Sequence, residues 1–107
     1  MKWMEYITIC SGEIIQHRKV VGLLVPLEEL PSDEGPKKIK IFRHHRLGNE
    51  WGVQIDWESD KEAIGKSTLG LHLAQSFSNF GLINHFVWVE EKAFNQKATS
   101  KVNEQEL

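Results

Sequence analysis

The tetrapeptide Gly65-Lys66-Ser67-Thr68 contains the residue types that end a phosphate-binding loop. In such a loop, backbone N–H groups surround the phosphates, the lysine neutralises them and the hydroxyl binds magnesium. The full motif also needs a glycine five positions before Gly65, and this chain has Asp60 there, an acid that would face the phosphates. The sequence therefore does not favour a nucleotide site. We expect Ser67 or Thr68 to satisfy a nearby carbonyl in a helical turn.

The five histidines and the single cysteine do not have the spacing of a metal site. His44 and His45 are adjacent in a predicted strand, so they should point to opposite faces and cannot share one ion. Neither His-x-His nor helical i,i+4 spacing relates the remaining ligand types, which are Cys10, His17, His72 and His85. We therefore expect no metal and no cofactor.

Two carboxylates, Asp56 and Glu58, share one face of a predicted strand, an arrangement that acid–base catalysis can use. On a solvated sheet face, such acids more often balance lysines on the neighbouring strand. No Ser/His/Asp or Cys/His arrangement carries a local catalytic signature. The sequence therefore predicts no catalytic residue and a protein that is not an enzyme.

The segment from Lys37 to Arg46 contains five Lys or Arg residues, two histidines, one phenylalanine and no acid. Aromatic rings among cations on a sheet are typical of surfaces that bind RNA or single-stranded DNA. This pattern predicts, as an alternative function, a nucleic-acid site formed by Tyr6, Lys38, Lys40, Phe42 and His44. The hairpin register derived below weakens it, because it places Glu58 opposite Lys40 and Asp60 opposite Lys38.

The 107 residues suffice for one domain, and 40% hydrophobic with 26% charged residues allow a self-supporting core. The net charge of -2 lacks the basic excess of a dedicated nucleic-acid binder. A lone Cys10 cannot form an intramolecular disulfide, which indicates a reducing compartment. Neither a signal sequence nor an apolar run of membrane-spanning length is visible. We expect a cytoplasmic protein with no membrane association.

The positioning elements begin with a strand over residues 4–10, where apolar and polar residues alternate. Residues 13–25 allow two interpretations. A helix capped by Ser11 would place Glu13, Ile14, Val21 and Leu24 on one face. A hairpin turning at residues 11–12 is the rival, because Val20-Val21-Gly22 and Pro26 are poor helix interior. The helix is the favoured interpretation.

Residues 38–45 and 51–57 alternate clearly and predict a hairpin. Joining them through residues 48–50 sets Ile41 opposite Trp57, Leu47 opposite Trp51 and His45 opposite Val53. A one-residue slip would set Ile41 against Asp56, an apolar side chain against a charge, so the hydrophobic pattern selects the first register.

A second helix should follow Ser59, which begins a Ser-x-x-Glu capping box, and should run to about Phe80. Residues 85–89 predict a last strand. The resulting βαββαβ order is typical of an α+β, ferredoxin-like sandwich, whose helices cover one face of an antiparallel sheet. If residues 13–25 were strand, the class would remain α+β. We expect one domain over residues 3–90 and a flexible polar tail over residues 91–107.

The open face of that sheet should expose three aromatic side chains: Tyr6, Phe42 and Trp88. Exposed aromatic area is usually covered in solution, and interface centres are enriched in aromatic residues. The sequence therefore predicts a small non-catalytic binding module of the inhibitor, immunity or adaptor type. It would act through contact with a protein partner, or with a second copy of itself, at these three residues. Nucleic acid is the alternative partner.

Overall fold

The computed structural model describes residues 1–29, 35–58 and 64–96, which form four strands, two α-helices and one 3-10 helix. The strands are β1 (Lys2–Cys10), β2 (Lys38–Arg43), β3 (Glu50–Glu58) and β4 (Leu82–Val89). The helices are α1 (His17–Leu24), which continues into the 3-10 helix Val25–Glu29, and α2 (Thr68–Phe77). All strand pairs are antiparallel in the order β2-β3-β1-β4. The predicted α+β, ferredoxin-like fold is confirmed.

The core lies between the two helices and one face of the sheet. Alternation along β1 turns Trp3, Glu5, Ile7 and Ile9 inward, while the even-numbered residues between them face the other side. The hydrophobic core also contains Val53 and Ile55 of β3, Val20 and Leu24 of α1, and Leu73 and Phe77 of α2. We call this side of the sheet the covered face and the opposite side the open face.

The helical interpretation of residues 13–25 is confirmed, but the predicted Ser11 cap is wrong. Helix α1 begins only at His17, and its N-cap residue Gln16 makes no side-chain capping bond. The chain before α1 is held instead against the turn between β2 and β3. Ser11 N donates to Asn49 O at 2.9 Å, and Ile15 N donates to Gly48 O at 3.1 Å. Because these two backbone N–H groups bond to the turn, residues 11–15 do not join the helix, which begins at His17.

Helix α2 is shorter than predicted at both ends. The capping box at Ser59 lies outside the described residues, but residues 64–67 are not helical, and Ser67 is the residue that caps the helix. The helix ends at Phe77, before a turn that leads to Gly81. Strand β4 begins three residues before the predicted His85, because Leu82 still pairs with Cys10 of β1.

The predicted register of the β2–β3 hairpin is wrong by four residues. Ile41 lies opposite Val53, not Trp57, and Lys40 lies opposite Gln54, not Glu58. Lys38 faces Asp56 instead of Asp60. Because side chains alternate with a period of two, a shift of four residues leaves every side chain on its predicted face. The hydrophobic pattern therefore determined the faces but could not determine the length of the turn.

The longer turn follows from bonds made by His44, which ends the strand pairing. Its Nδ1 accepts from the backbone N–H groups of Arg46 and Leu47, both at 3.1 Å. The predicted opposite pairs of His45 with Val53 and Leu47 with Trp51 are therefore absent, and Arg43 faces Trp51. The rings of His44 and His45 stack with centroids 4.9 Å apart. The prediction that they point to opposite faces is wrong because both lie in the turn.

Among the described residues, no helix is both long and apolar enough to cross a membrane.

The observed register predicts which pair of introduced cysteines will form a disulfide. In a Cys10→Ser background, Lys40→Cys with Gln54→Cys should form an intramolecular disulfide on mild oxidation, because opposed residues in antiparallel strands lie about 5 Å apart. Intact mass and non-reducing electrophoresis measure the closure.

The matched control is Lys40→Cys with Glu58→Cys, which joins the pair that the hydrophobic pattern predicted. These positions differ from opposed residues by four residues along the strand, about 13 Å, and a disulfide requires Cα atoms within about 7 Å. Closure of this pair in place of the first would contradict the observed register.

Candidate functional site

A charged residue occupies the centre of the covered face. Glu5 lies on β1 between the inward-facing Trp3 and Ile7, and it is completely buried. A buried carboxylate is unfavourable unless hydrogen bonds replace the water that it loses. The partners of Glu5 therefore decide whether the sheet and helices can pack around it.

Four donors surround the two oxygens of Glu5. Oε1 accepts from Ser67 N at 2.8 Å and lies 2.9 Å from His85 Nε2. Oε2 accepts from Trp57 Nε1 at 2.9 Å and from the Ser67 hydroxyl. Because an ionised carboxylate only accepts hydrogen bonds, two donors at each oxygen are the surroundings expected for the charged form. The residues Glu5, Trp57, Ser67, Gly70 and His85 form what we call the Glu5–His85 site.

The first turn of α2 packs directly on the carboxylate. Ser67 caps the helix by accepting from Gly70 N at 2.9 Å, and the same hydroxyl donates to Glu5. A Cβ atom on residue 70 would lie 2.2 Å from Glu5 Oε1, so only glycine fits this position without movement. The N-terminus of a helix also carries partial positive charge, which favours an anion beside it.

His85 lies on the edge strand β4, with its Nε2 directed at Glu5 and its side chain 6% exposed. Its Nδ1 has no hydrogen-bond partner among the residues that the structure describes. When Nε2 carries the proton donated to Glu5, Nδ1 of the neutral ring has a free lone pair. The carboxylate thus orients an imidazole whose other nitrogen can accept a proton.

An aromatic pair borders this site. The rings of Trp3 and Trp57 stack with centroids 5.4 Å apart and planes 14° apart. Trp57 is the ring that donates to Glu5, whereas the buried Trp3 Nε1 has no partner in the described part of the chain. The carboxylate therefore lies beside a flat apolar wall that includes one unused N–H donor.

The residues predicted from the sequence lie on the open face, away from the Glu5–His85 site. The rings of Tyr6 and Phe42 are close, with centroids 6.2 Å apart. Trp88 is on β4, next to β1, where it pairs with Met4, and among the described residues no ring contact joins it to Tyr6 or Phe42. The structure therefore brings together two of the three predicted partner-binding residues.

The predicted nucleic-acid residues are likewise spread over different elements. Lys38 and Lys40 lie on β2, and Lys40 Nζ is 3.7 Å from Asp56 Oδ2. His44 lies in the turn after β2, where its Nδ1 accepts two backbone hydrogen bonds.

The described residues contain no group of three or more His, Cys, Asp or Glu side chains placed to hold a metal ion; these residues are 1–29, 35–58 and 64–96.

Sequence reasoning missed both members of the central pair, although a signal existed. Glu5 occupies an inward position of an alternating strand, where a charge requires a buried partner. His85 has the same inward phase as Ile83 and Val87 on β4. The two residues are 80 positions apart, so no local spacing joins them. Ser67 was predicted, as the alternative to a phosphate loop, to satisfy a nearby carbonyl in a helical turn, but its hydroxyl caps α2 and donates to Glu5.

Comparisons with known proteins give one informative match. No protein-family model matches the chain, and no curated protein matches its sequence. A solved structure of a variant of SnoaB, a cofactor-independent oxygenase from Streptomyces nogalater, is similar with a TM-score of 0.58. The match covers 89% of this chain and 97% of that chain at 11% identity. The two chains share a fold.

This match corrects the functional prediction made from the sequence. A non-catalytic module acting through protein contact, with nucleic-acid binding as the alternative, was inferred because no catalytic signature was visible. The matched chain is an enzyme of the same size and fold, so the missing signature is no argument against catalysis. The prediction of a protein that is not an enzyme is wrong for the same reason. Physically, the residues that form the Glu5–His85 site meet only after folding.

Because α2 lies so close to the Glu5 carboxylate, replacing Gly70 of this helix by alanine should destabilise the protein, whereas alanine usually stabilises a helix. Gly70→Ala should lower the free energy of unfolding by about 1–3 kcal/mol, because its Cβ overlaps the fixed Glu5 carboxylate. Chemical denaturation followed by circular dichroism measures the change.

Gly22→Ala in α1 is the matched control, since a Cβ there meets nothing within 4 Å. It should stabilise the protein by about 0.5–1 kcal/mol, the usual gain from replacing a helical glycine. If Gly70→Ala stabilised the protein as much as Gly22→Ala does, the packing of α2 on Glu5 would be contradicted.

Proposed function

We propose that this protein is a small enzyme of the cofactor-independent oxygenase type, in which His85 acts as the general base. The observation that carries the proposal is the buried carboxylate–imidazole pair, with Glu5 Oε1 at 2.9 Å from His85 Nε2 and His85 Nδ1 unpaired within the described residues. The shared fold with an enzyme named as such an oxygenase supports the choice of reaction.

The chemistry requires a base because molecular oxygen reacts slowly with neutral organic molecules. Without a cofactor, the substrate itself must supply the electrons. His85 Nδ1 removes a proton from an acidic C–H group, and the resulting carbanion adds O₂ to form a C–O bond. The proton then returns from His85 to the peroxide anion, so that R–H and O₂ give R–OOH. Proton transfer by a positioned side chain contributes about 10²–10⁴-fold to a rate.

Glu5 has two roles in this reaction, neither of which involves the substrate. It fixes His85 in the tautomer that leaves Nδ1 free, as an orienting carboxylate does for a catalytic histidine. It also stabilises the imidazolium that forms after proton transfer. Trp57 and Ser67 hold the carboxylate in place with three further hydrogen bonds.

The surroundings of His85 indicate a flat substrate whose anion is delocalised. Trp57 is half-buried and stacks on the buried Trp3, and it provides an apolar ring surface for a planar substrate. Because β4 is an edge strand, His85 is approached past the edge of the sheet and not through the core.

Oxygen uptake tests this function. The probes are acidic, electron-rich rings: resorcinol, a dihydroxynaphthalene and a cyclic diketone. The wild-type protein should accelerate oxygen consumption with at least one of them. His85→Asn should lower kcat/KM by about 100-fold or more, and Glu5→Gln by about tenfold or more, because the first removes the base and the second its orientation.

The matched control is His72→Asn, which changes an exposed histidine of α2 and should leave the rate within about twofold. Circular dichroism verifies that each variant is folded. If the wild-type protein consumed oxygen with every probe no faster than the probe alone, the enzymatic function would be contradicted. If His85→Asn consumed oxygen as fast as the wild type, the assignment of His85 as the base would be contradicted.

A further inference from the structure

A groove of about 340 Å³ lies on the open face, across the sheet from the Glu5–His85 site. Gly52 of β3 forms part of its floor, between Phe42 on one neighbouring strand and Thr8 on the other. Its volume is close to the lower end of the range for pockets that bind small molecules. A ligand of one ring with a short substituent matches this size.

One end of the groove is aromatic. The phenol of Tyr6 fills the space above Gly52, where a Cβ atom would lie 2.2 Å from the Tyr6 hydroxyl oxygen. The Tyr6 ring is tilted against that of Phe42, with centroids 6.2 Å apart. Phe42 remains 42% exposed, so the ring pair is accessible to a ligand.

The other end of the groove is acidic. Glu50 precedes Gly52 by two residues on the same strand, a distance of about 7 Å, and points to the same face. The thiol of Cys10 lies 3.8 Å from its Oε1. The described residues give Glu50 no salt-bridge partner. Thr8 and Asn84 line the groove between the two ends and add hydrogen-bonding groups.

Two basic residues, Arg43 and His44, also line the groove, and neither forms a salt bridge with Glu50 among the described residues. Alternation along β2 directs the Cβ atom of Arg43 to the face of Ile39 and Ile41. The Nδ1 atom of His44 accepts two backbone hydrogen bonds within the turn. The groove therefore combines one carboxylate, for which the described residues supply no ion pair, with two aromatic rings.

We propose that this groove binds a small aromatic amine, with the ammonium at Glu50 and the ring against Tyr6 and Phe42. A carboxylate bonds a protonated amine strongly, and aromatic faces attract cations as well as other rings. The spacing of about 7 Å between Glu50 and Gly52 along the strand suits a ring that carries its amine on a short chain. The site lies on the other face from His85, so it goes beyond the proposed function.

Titration with phenethylamine tests the proposal, followed by two-dimensional NMR of the ¹⁵N-labelled full chain. The backbone amides of Thr8, Gly52 and Asn84 should shift. The dissociation constant should be about tenfold or more below that of phenylethanol, which has the same ring without the charge. Phenylpropionate, which carries a negative charge, should bind still more weakly than phenylethanol.

The variant Glu50→Gln should bind phenethylamine and phenylethanol with similar dissociation constants, because the carboxylate that favours the amine is gone. Glu58→Gln, which removes a charge from the same strand outside the groove, should retain it. The preference of the wild-type protein for amine over alcohol stands as a test even if Glu50→Gln fails to fold.

Equal affinities for the amine and the alcohol would overturn the proposal, as would an equal loss in Glu50→Gln and Glu58→Gln. A second copy of the chain is the other occupant that this face could take. If the Gly52 and Thr8 amides shifted on dilution and did not respond to phenethylamine, a second copy would occupy the groove, and the proposal would be wrong.

Discussion

The structure depends on keeping one buried carboxylate satisfied. Glu5 lies in a central strand and has lost all contact with water, and its four hydrogen bonds, two of them from Ser67, connect it to three other parts of the chain. Trp57 connects it to β3, Ser67 to the start of α2, and His85 to β4. Removing any one donor would leave a buried charge incompletely paired, which is among the most destabilising changes in a protein interior.

This requirement explains features that packing alone does not. Helix α2 starts at Ser67 because that residue can cap the helix and bond the carboxylate at once. Gly70 is needed because the first helical turn lies against Glu5. In the proposed function, the same bonds prepare a base without a cofactor: an imidazole held by its Nε2, with its Nδ1 available. The residues that satisfy the buried carboxylate would then also prepare the base.

The fold was largely predictable because it is encoded locally. The alternation in β1, β2 and β3 predicted their faces, and the element order predicted the ferredoxin-like class. The β2–β3 register could not be predicted, since any even shift preserves the faces and His44 ends the pairing through backbone bonds. The Glu5–His85 pair was missed because it joins positions far apart in the chain. The assignments of Tyr6, Phe42 and Trp88, and of Lys38, Lys40 and His44, as binding residues stay predictions.

Glu5 should hold His85 with the proton on Nε2 and leave Nδ1 free to accept a second proton. Long-range ¹⁵N–¹H NMR correlations of the His85 ring report this directly at a pH where the imidazole is neutral. We expect a protonated Nε2 and an unprotonated Nδ1 in the wild-type protein, with loss of this strict preference in Glu5→Gln. A proton on Nδ1 and none on Nε2 in the wild type would contradict it.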